Sequence, residues 1–408
     1  MSDLDRVRAQ RLTRAAGIDA LVFFQPEAFR YAIGAHAGVA TMWGRAGSAI
    51  AVVPSDPAAS LAAVISDHAS ASLGSLRQSV DVRTHRIWID GVALTGQETI
   101  ADIDAAYRRM ENTGPRPETF DQEACFRLLA DILTERGLGK AVLGADFSFL
   151  PAADFERLKK ALPHVTWKDA SDILLRLRAI KNPQEIERLR RAARAAEAGL
   201  RSLASAVEPD ASQRELSAAW LQGAREEAAA GGFGLSGHWD YISVGPDLTD
   251  GSATVKPGSL IKADVGTLVE GYSSDGARTF VLGQPANLAT ELHAILHEAF
   301  LAGIEQIRPG RRFGDVHAAM LARFRKNGLT EYYRGHFGHS VGGNAGIEEW
   351  PFFSNGNDEV IEQNMVVALE TPFYAQGFGA LMIEDQFLVT EAGTECMNSL
   401  PRDIIRIG

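Results

Sequence analysis

Apolar residues in the first part of the chain come in short runs, separated by segments in which they recur at helical spacing. Four runs have the length and composition of buried strands: DALVFF at 19–24, SAIAVVP at 48–54, AAVIS at 62–66 and AVLGAD at 141–146. Residues 121–137 and 153–162 carry the periodicity of helices. This alternation of strands and helices predicts a small α/β domain over residues 1–172.

The segment 94–118 interrupts this pattern. It contains the polar, turn-rich stretch TGQE and most of ENTGPRPET. Clusters of glycine, proline and asparagine of this kind mark turns and loops. We therefore expect an insertion or a flexible excursion from the domain at 94–118, to which the sequence assigns no role.

Beyond residue 173 the pattern changes to long helices followed by strands. Pro183 suits the first turn of an amphipathic helix, and SQRE at 212–215 has the spacing of a capping box that opens another helix. Strands are expected near 240–245, 260–265, 271–282, 364–370 and 381–390, and helices near 288–307 and 313–327. Runs of helices and then of strands predict an α+β domain with an antiparallel sheet over residues 173–408.

Length, charge and cysteine content narrow the class of protein. A chain of 408 residues exceeds one ordinary hydrophobic core, which agrees with two domains. The net charge of −11 argues against nucleic acid as a partner, and no apolar run approaches the roughly 18 residues that span a membrane. The N-terminus lacks the order of a secretory signal and the two cysteines make no disulfide framework, so we expect a cytoplasmic protein.

Two aspartates stand in strand-like sequence on either side of a short turn. Asp264 and Asp275 lie in KADVGTLVEGYSSDGARTF. If Val269 and Glu270 are the two turn residues, Asp264 lies directly opposite Asp275 on one face of an antiparallel hairpin. Aspartate is disfavoured inside strands, so two of them at matched positions need a physical reason.

Two glutamates repeat this arrangement further along the chain. Glu370 and Glu384 lie in VVALETPFYAQGFGALMIEDQFLV, and a hairpin centred on Gly377 sets them opposite each other. Like charges placed in this way repel each other. The two predicted hairpins therefore indicate a site for cations.

His339, in RGHFGHSVGG, lies between the two carboxylate pairs in the sequence. Four carboxylates and one imidazole are a poor structural zinc site, which favours cysteine and histidine, but they suit Mn²⁺, Co²⁺, Zn²⁺ or Fe²⁺. Two such ions can hold a water or hydroxide between them, whose pKa falls from 15.7 towards about 7. We therefore predict two divalent metal ions, and the ligands do not choose among the four metals.

With these residues in place, the chain resembles the creatinase/prolidase family, the pita-bread group that includes Xaa-Pro dipeptidases, Xaa-Pro aminopeptidases and methionine aminopeptidases. The motifs that carry the resemblance are D-x-G with G-Y-x-x-D-x-x-R-T, then G-H-x-x-G, E-x-P and I-E-D. It implies a creatinase-like N-terminal domain, a pita-bread catalytic domain, a homodimer and a small-molecule or dipeptide substrate. The implied metal ligands are Asp264, Asp275, His339, Glu370 and Glu384.

Candidate substrate-binding residues come from three further segments. MWGRAGSAIAVV at 42–53 is similar to the creatinase segment in which an aromatic residue and an arginine hold a substrate carboxylate. The resemblance implies that Trp43 and Arg45 reach into the active site of a neighbouring subunit, and the planar fork of arginine suits a carboxylate. His238 is a candidate for a substrate-binding wall, and His336 for the lining of the pocket.

Three departures from the peptidase pattern leave the reaction open. The histidine expected before the first ligand is missing, Glu348 stands in IEEWP at the histidine of H-E-x-P, and Met382 replaces the arginine two residues before the last ligand. The segments EEWP and EDQ are more similar to a branch that cleaves dimethylsulfoniopropionate as a lyase. In that branch an acidic residue near the position of Glu348 abstracts a proton.

These observations together predict a dinuclear metal-dependent hydrolase that cleaves a C–N bond in a small, carboxylate-bearing substrate. A bridging hydroxide attacks the amide-like carbon, while Glu370 passes a proton to the leaving nitrogen and His336 and Glu348 complete the catalytic candidates. Two alternatives stay open. One is a metal-dependent lyase with Glu348 as base, and the other is a non-catalytic binding module on the same fold.

Overall fold

The computed structural model of the chain describes residues 2–96, 99–109, 115–344 and 346–408. Contacts divide the chain into two compact units, Met1–Leu177 and Arg178–Gly408. Within the described residues, none of the helices is both long and apolar enough to cross a membrane.

The N-terminal unit is built around a mixed sheet with strand order β4-β3-β2-β1-β5-β6. Its strands are β1 (Ala20–Phe23), β2 (Ile50–Pro54), β3 (Leu61–Ser66), β4 (Val80–His85), β5 (Val142–Ala145) and β6 (Thr166–Asp169). Its helices are α1 (Arg6–Ala16), α2 (Pro26–Ile33), α3 (Ile100–Arg109), α4 (Gln122–Glu135), α5 (Ala152–Ala161) and α6 (Ser171–Ala179), with 3-10 helices at Val39–Trp43 and Ala69–Gln78. The four predicted strands and the two predicted helices are present, and the α/β class of this domain is confirmed.

The segment 94–118 differs in part from the loop that its composition predicts. Helix α3 occupies Ile100–Arg109 and buries none of its residues. Thr99 and Asp102 bond each other at its start, and Asp104 pairs with Arg108 one turn on. Local polar contacts of this kind stabilise a helix that buries no side chain. Residues 97–98 and 110–114 lie outside the described residues.

Two long helices open the second unit at the predicted positions. Helix α7 (Pro183–Ala206) starts with a capping box between Asn182 and Glu185, and α8 (Gln213–Ala230) with the predicted one between Ser212 and Glu215. Each box satisfies backbone N–H groups that the first helical turn leaves free.

A large antiparallel sheet follows, with strand order β12-β11-β13-β14-β10-β8-β7. Its strands are β7 (Gly237–Val244), β8 (Leu260–Val269), β9 (Tyr272–Ser273), β10 (Gly276–Leu282), β11 (His336–Ser340), β12 (Glu349–Ser354), β13 (Val366–Ala375), β14 (Gly379–Thr390), β15 (Gly393–Cys396) and β16 (Ile405–Ile407). Three short strands extend this sheet: β9 pairs with β8, β15 with β14 and β16 with β10. The pairing of β16 with β10 is parallel, and the other pairings of this sheet between the described residues are antiparallel. The other helices are α9 (Asn287–Ile304) and α10 (Phe313–Lys326). The predicted α+β class is confirmed.

Alternation along β8 separates core residues from polar ones. Ile261, Ala263 and Val265 are buried in an apolar cluster with residues of α7 and α8. Lys262 and Asp264 lie between them in the sequence, so their side chains leave the opposite face of the strand. One strand thus contributes both to the core and to a polar face.

The same alternation runs through β13 and β14. Leu369 and Ile383 join an apolar cluster with α9 and α10. Glu370 and Glu384 are their sequence neighbours and therefore point to the other face. The helices cover one face of these strands, while the carboxylates gather on the face that the helices leave free.

The register of the β13–β14 hairpin confirms the prediction made from the sequence. Glu370 pairs directly with Glu384, and the strands close at Ala375 and Gly379, with Gly377 at the centre. Gly377 has a φ of 81°, a left-handed conformation that glycine adopts without strain.

The register predicted for the β8–β10 hairpin is wrong by two residues. Asp264 pairs with Ala277 rather than with Asp275. The turn residues are Glu270 and Gly271, both with positive φ, as a two-residue turn of the favoured twist requires. Because moving the turn by one residue moves each pairing by two, both aspartates stay on the same face.

Candidate metal centre and active site

The five predicted metal ligands line one cavity of about 350 Å³ in the second unit. They come from β8, β11, β13 and β14 and from the segment between β9 and β10. The other lining residues are Trp239, Tyr241, Gly346, Ile347, Glu348 and Met382. The sheet therefore brings together side chains that are 120 residues apart in the sequence, from Asp264 to Glu384.

Three of the ligands form a tight, buried group. One ligand atom from each of Asp275, His339 and Glu384 lies within 4.8 Å of the others, and all three side chains are buried. The His339 Nδ1 lies 2.9 Å from the carbonyl oxygen of Ser340, which can only accept a hydrogen bond. Nδ1 therefore carries a proton, and Nε2 faces Asp275 at 3.4 Å. In the protonated ring Nε2 donates a hydrogen bond to that carboxylate, and once this proton has left its lone pair can bind a metal.

Burial makes these carboxylates hard to ionise without a cation. It raises the pKa of Asp264 to about 6 and that of Glu370 to about 7, and it lifts the pKa of Glu384 well above its usual range. The pKa of Asp275 is raised as well, although its hydrogen bond with His339 opposes the effect of burial. Neighbouring carboxylates add to most of these shifts, since like charges oppose ionisation.

The neighbouring carboxylates raise the pKa of His339. Burial alone would lower it, but the hydrogen bond with Asp275 and the charge of that carboxylate outweigh burial and raise it to about 9. The centre therefore attracts positive charge, either as protons or as a metal ion.

Two basic side chains lie beside the ligands at the edges of this group. The Nζ of Lys262 is 3.1 Å from Oδ2 of Asp264, and both side chains are largely buried. A guanidinium nitrogen of Arg334 is 3.3 Å from Oε1 of Glu370. The Tyr374 ring is near both cations, with its centroid 5.7 Å from Lys262 Nζ and 6.0 Å from the Arg334 guanidinium carbon.

His336 and Glu348, two of the catalytic candidates, lie close to each other; Glu348 lines the cavity, and His336 lies behind it against Glu348 and Glu370. His336 Nδ1 is 3.3 Å from Oε1 of Glu370, and its Nε2 is 3.5 Å from a carboxylate oxygen of Glu348. Burial lowers the pKa of His336, against the opposing charge of Glu348. The side chain of Glu348 is 50% exposed, so it can meet a ligand that enters from solvent.

The residues present fit divalent metal ions. One imidazole nitrogen and several carboxylate oxygens, held on rigid strands and short of positive charge, form a donor set for borderline ions such as Mn²⁺, Co²⁺, Zn²⁺ or Fe²⁺. The Nδ1–H of His339 is held by a backbone carbonyl, which is the usual support for a metal-binding histidine.

Comparison with known proteins agrees with this geometry. The family model for metallopeptidase family M24 matches residues 187–391, which is half of the chain. The model of the creatinase/prolidase N-terminal domain matches residues 6–180.

The chain belongs to metallopeptidase family M24. The family and the ligand set make it a metal-dependent hydrolase with a creatinase/prolidase N-terminal domain. The resemblance inferred from the sequence motifs is thereby confirmed.

The chain is similar to curated proteins that are named Xaa-Pro dipeptidases. The chain is 27% identical over 291 residues to the Xaa-Pro dipeptidase of Lactobacillus helveticus, covering 70% of this chain and 77% of the relative. It is 29% identical over 266 residues to the Xaa-Pro dipeptidase of Pyrococcus horikoshii, covering 63% and 73%. The solved structure of an Xaa-Pro dipeptidase from Bacillus anthracis has the same fold. The TM-score is 0.77, the match covers 98% of this chain and 99% of that chain, and the identity is 21%.

This M24 member has an aromatic wall beside its metal ligands. Trp239 and Tyr241, alternate residues of β7, line the cavity with ring centroids 5.6 Å apart. His238 lies between them in the sequence, and its ring lies 6.1 Å from that of Trp220 in α8. The structure therefore does not bring His238 into this cavity, because adjacent strand residues point to opposite faces.

The N-terminal candidates lie in the other unit and have local contacts there. Arg45 forms a two-pronged ion pair with the buried Asp154 and also bonds Gln122. Trp43 is half exposed and packs edge-on against Trp88. The predicted role of Trp43 and Arg45 in a neighbouring subunit's active site stays a prediction.

Sequence reasoning missed three residues at this site: Tyr241, Lys262 and Arg334. Strand periodicity carried a signal for two of them, because Tyr241 follows Trp239 by two positions and Lys262 precedes Asp264 by two. Arg334 carried no such signal, since its contact with Glu370 depends on the pairing of β11 with β13.

Proposed function

We propose that this protein hydrolyses the C–N bond of small, carboxylate-bearing substrates of the Xaa-Pro dipeptide class. The observation that carries the proposal is the convergence of five metal-binding side chains in one cavity beside the Arg334 guanidinium. A volume of about 350 Å³ suits a dipeptide-sized ligand rather than a polypeptide.

Asp264, Asp275, His339, Glu370 and Glu384 would hold up to two divalent ions. Bound ions supply Lewis acidity to the scissile carbonyl and a water of lowered pKa near neutral pH. The protein's own part is to fix these ligands on paired strands, so that little reorganisation is needed when the substrate binds.

Proton transfer falls to residues around Glu370. Glu370 lines the cavity, and its Oε1 lies 3.3 Å from Nδ1 of His336, which places this carboxyl group to accept a proton and return it to the leaving nitrogen. His336 contacts both Glu370 and Glu348 and is suited to pass that proton towards solvent. We propose that Glu370 delivers a proton to the leaving nitrogen and that His336 resets it.

Arg334 is the cation best suited to bind the substrate carboxylate. Met382 lines the cavity where related peptidases have an arginine, and the Tyr374 hydroxyl lies 3.7 Å from the Met382 sulfur. The Arg334 guanidinium carbon lies 6.0 Å from the centroid of the same Tyr374 ring. Arg334 and Met382 thus both lie close to Tyr374. Arg334 therefore offers a guanidinium near Met382, although it comes from a different segment of the chain than the arginine of related peptidases.

Replacing Arg334 by methionine is expected to raise the KM for a dipeptide by about 10–100-fold, because a charge-assisted hydrogen bond is worth about 1.5–3 kcal/mol. Steady-state kinetics on the dipeptide and on its C-terminal amide measure the effect. The amide lacks the negative charge, so its KM should change less than threefold or so if the loss is that of a carboxylate contact. Arg312→Met, at a 61% exposed arginine outside the cavity, is the matched control. Equal losses for acid and amide would contradict the assignment.

The direct test of the proposal is turnover of Xaa-Pro dipeptides by protein loaded with Mn²⁺, Co²⁺, Zn²⁺ or Fe²⁺. Hydrolysis in ¹⁸O-labelled water must place one solvent oxygen in the new carboxylate of the product, which mass spectrometry detects. Loss of turnover on chelation and its return with metal are expected. Metal-loaded protein that cleaves none of the dipeptides would reject this substrate class.

A lyase is the second candidate, and Glu348 is the observation that favours it. This carboxylate lies at the cavity, half exposed, where the peptidase motif has histidine, and Trp239 and Tyr241 offer aromatic faces to a cationic group. Glu348 would take a proton from the carbon next to the carboxylate of dimethylsulfoniopropionate. The C–S bond would then break to give acrylate and dimethyl sulfide, with no solvent ¹⁸O in either product.

Other expectations from the sequence stay predictions here. They are the count of two ions, the identity of the metal, the homodimer and the cytoplasmic location. The third possibility is a non-catalytic binding module on this fold. It would be favoured if the protein binds no divalent ion after loading with each of the four metals.

A further inference from the structure

We infer that the ammonium group of Lys262 competes with a second divalent ion for Asp264, and so weakens the binding of the second ion relative to the first. The inference rests on the metal centre of the proposed function and concerns a residue outside the five ligands. It predicts which of the ligands form the tight position.

Lys262 is an unusual residue for the interior of a sheet. It belongs to β8, its side chain is 7% exposed, and its Nζ lies 3.1 Å from Oδ2 of Asp264. Strand periodicity directs both side chains to the same face. A buried ammonium is costly unless a carboxylate pairs with it, so Asp264 and Lys262 hold each other in place.

Asp264 also stands apart from the compact ligand group. Among the described residues, the histidine, aspartate and glutamate atoms that lie close enough to share one ion belong to Asp275, His339 and Glu384. Glu370 pairs directly with Glu384 across the hairpin and borders the same cavity. The first ion therefore has three closely spaced ligands, with Glu370 beside them, and Lys262 contacts Asp264 instead.

The balance of charge favours a single ion. When ionised, the four ligand carboxylates carry four negative charges, and His339 is neutral when it binds a metal through Nε2. One divalent ion, the Lys262 ammonium and the Arg334 guanidinium together neutralise all four. A second divalent ion would leave the buried centre with excess positive charge, and it would have to displace Lys262 from Asp264 while facing the ammonium at short range.

The test is Mn²⁺ binding to the full-length, metal-free protein, followed by the electron paramagnetic resonance of free and bound Mn²⁺ and by elemental analysis. For the wild type we expect one tight Mn²⁺ per chain, a second at least about 30-fold weaker, and the spectrum of isolated Mn²⁺ at one equivalent. In Lys262→Met, which keeps the side-chain length and removes the charge, the second affinity should approach the first within about fivefold. A spin-coupled pair should then appear at two equivalents.

Two further variants make the result specific to charge at this position. Lys262→Arg retains the positive charge and should bind as the wild type does. Lys256→Met, at an exposed lysine whose side chain is 62% exposed, should leave both affinities unchanged.

Several outcomes overturn the inference. The inference is wrong if the wild type binds two Mn²⁺ ions equally tightly. It is also wrong if the Lys262→Met protein still binds only one Mn²⁺ ion tightly. Should Lys262→Met fail to fold, Asp264→Asn takes its place: the tight ion must then keep its affinity within about threefold, and a larger loss rejects the assignment. Absence of any Mn²⁺, Co²⁺, Zn²⁺ or Fe²⁺ binding would instead reject the proposed function, so the two failures are distinguishable.

Discussion

Alanine in place of His339 is expected to lower kcat/KM for a dipeptide by at least about 10³-fold, since metal assistance is worth several kcal/mol in the transition state. His339 is the one imidazole in the compact ligand group, and its Nε2 already faces Asp275. Without this ring the group consists of carboxylates alone, so the tight ion loses affinity. Steady-state kinetics and elemental analysis of the purified variant measure the two effects.

The fold is expected to survive this substitution. The His339 ring lies on the polar face of β11, and the apolar cluster behind the sheet does not include it. Circular dichroism of the variant should therefore match that of the wild type. His293→Ala is the matched control, because His293 is buried in α9 and its Nε2 has no hydrogen-bond partner in the part of the chain that the structure describes. The metal hypothesis fails if His339→Ala keeps more than about a tenth of the activity.

Chelation is expected to destabilise the protein far more at pH 8 than at pH 5. Folding raises the pKa of Asp264 from 3.8 to about 6 and that of Glu370 from 4.5 to about 7, chiefly through burial. An acid whose pKa is higher in the folded state stabilises the fold while it is protonated. That stability is fully present below pH 4, and it is lost as the pH rises through 6 and 7.

His339 extends the same trend to higher pH. Its pKa rises on folding from 6.5 to about 9, so the stability that its proton contributes is present below pH 6.5 and lost as the pH passes 9. Bound metal takes over the role of these protons, and its affinity increases as they leave. The melting temperature of the chelated protein should fall by roughly 5–10 °C between pH 5 and pH 8, while that of the metal-loaded protein falls much less.

Thermal unfolding at a series of pH values, with and without chelator, measures this difference. Burial also raises the pKa of Asp146, in the N-terminal unit, to about 7. The stability that its proton contributes to the fold is therefore lost over the same pH range. Its contribution is the same in the loaded and the chelated protein, because it lies in the other unit, and it cancels in the difference between them. Parallel curves for the two forms would contradict the assignment of the buried carboxylates to metal.

Much of the site could be predicted because the hairpins are local in sequence. The pairing of Glu370 with Glu384 was predicted by centring the hairpin on Gly377, from which both glutamates are seven residues away. The structure has that register. For the first hairpin the turn was placed one residue too early, since the sequence does not reveal that Glu270 adopts positive φ beside Gly271. The error moved the partner of Asp264 and preserved the face, so the ligand prediction was unaffected.

What could not be predicted depends on pairing between distant segments. Arg334 meets Glu370, and His336 meets both Glu370 and Glu348, only after β11 has paired with β13. Helix α3 was missed for a different reason. It buries no residue, and it lies between turn-rich stretches at 95–98 and 111–119 whose composition predicts a loop.

The alternation of core and ligand residues along β8, β13 and β14 has a consequence for how such a protein changes over time. Substitution of a polar-face residue can extinguish or redirect the reaction while the apolar face keeps the sheet folded, so an inert but stable descendant is one mutation away. Loss of a single residue from β8 is a different event, because it would turn Asp264 towards the helices and its apolar neighbours towards the metal. Point mutations can therefore change the reaction while the fold is kept, whereas a change in strand length would disrupt both the fold and the metal site.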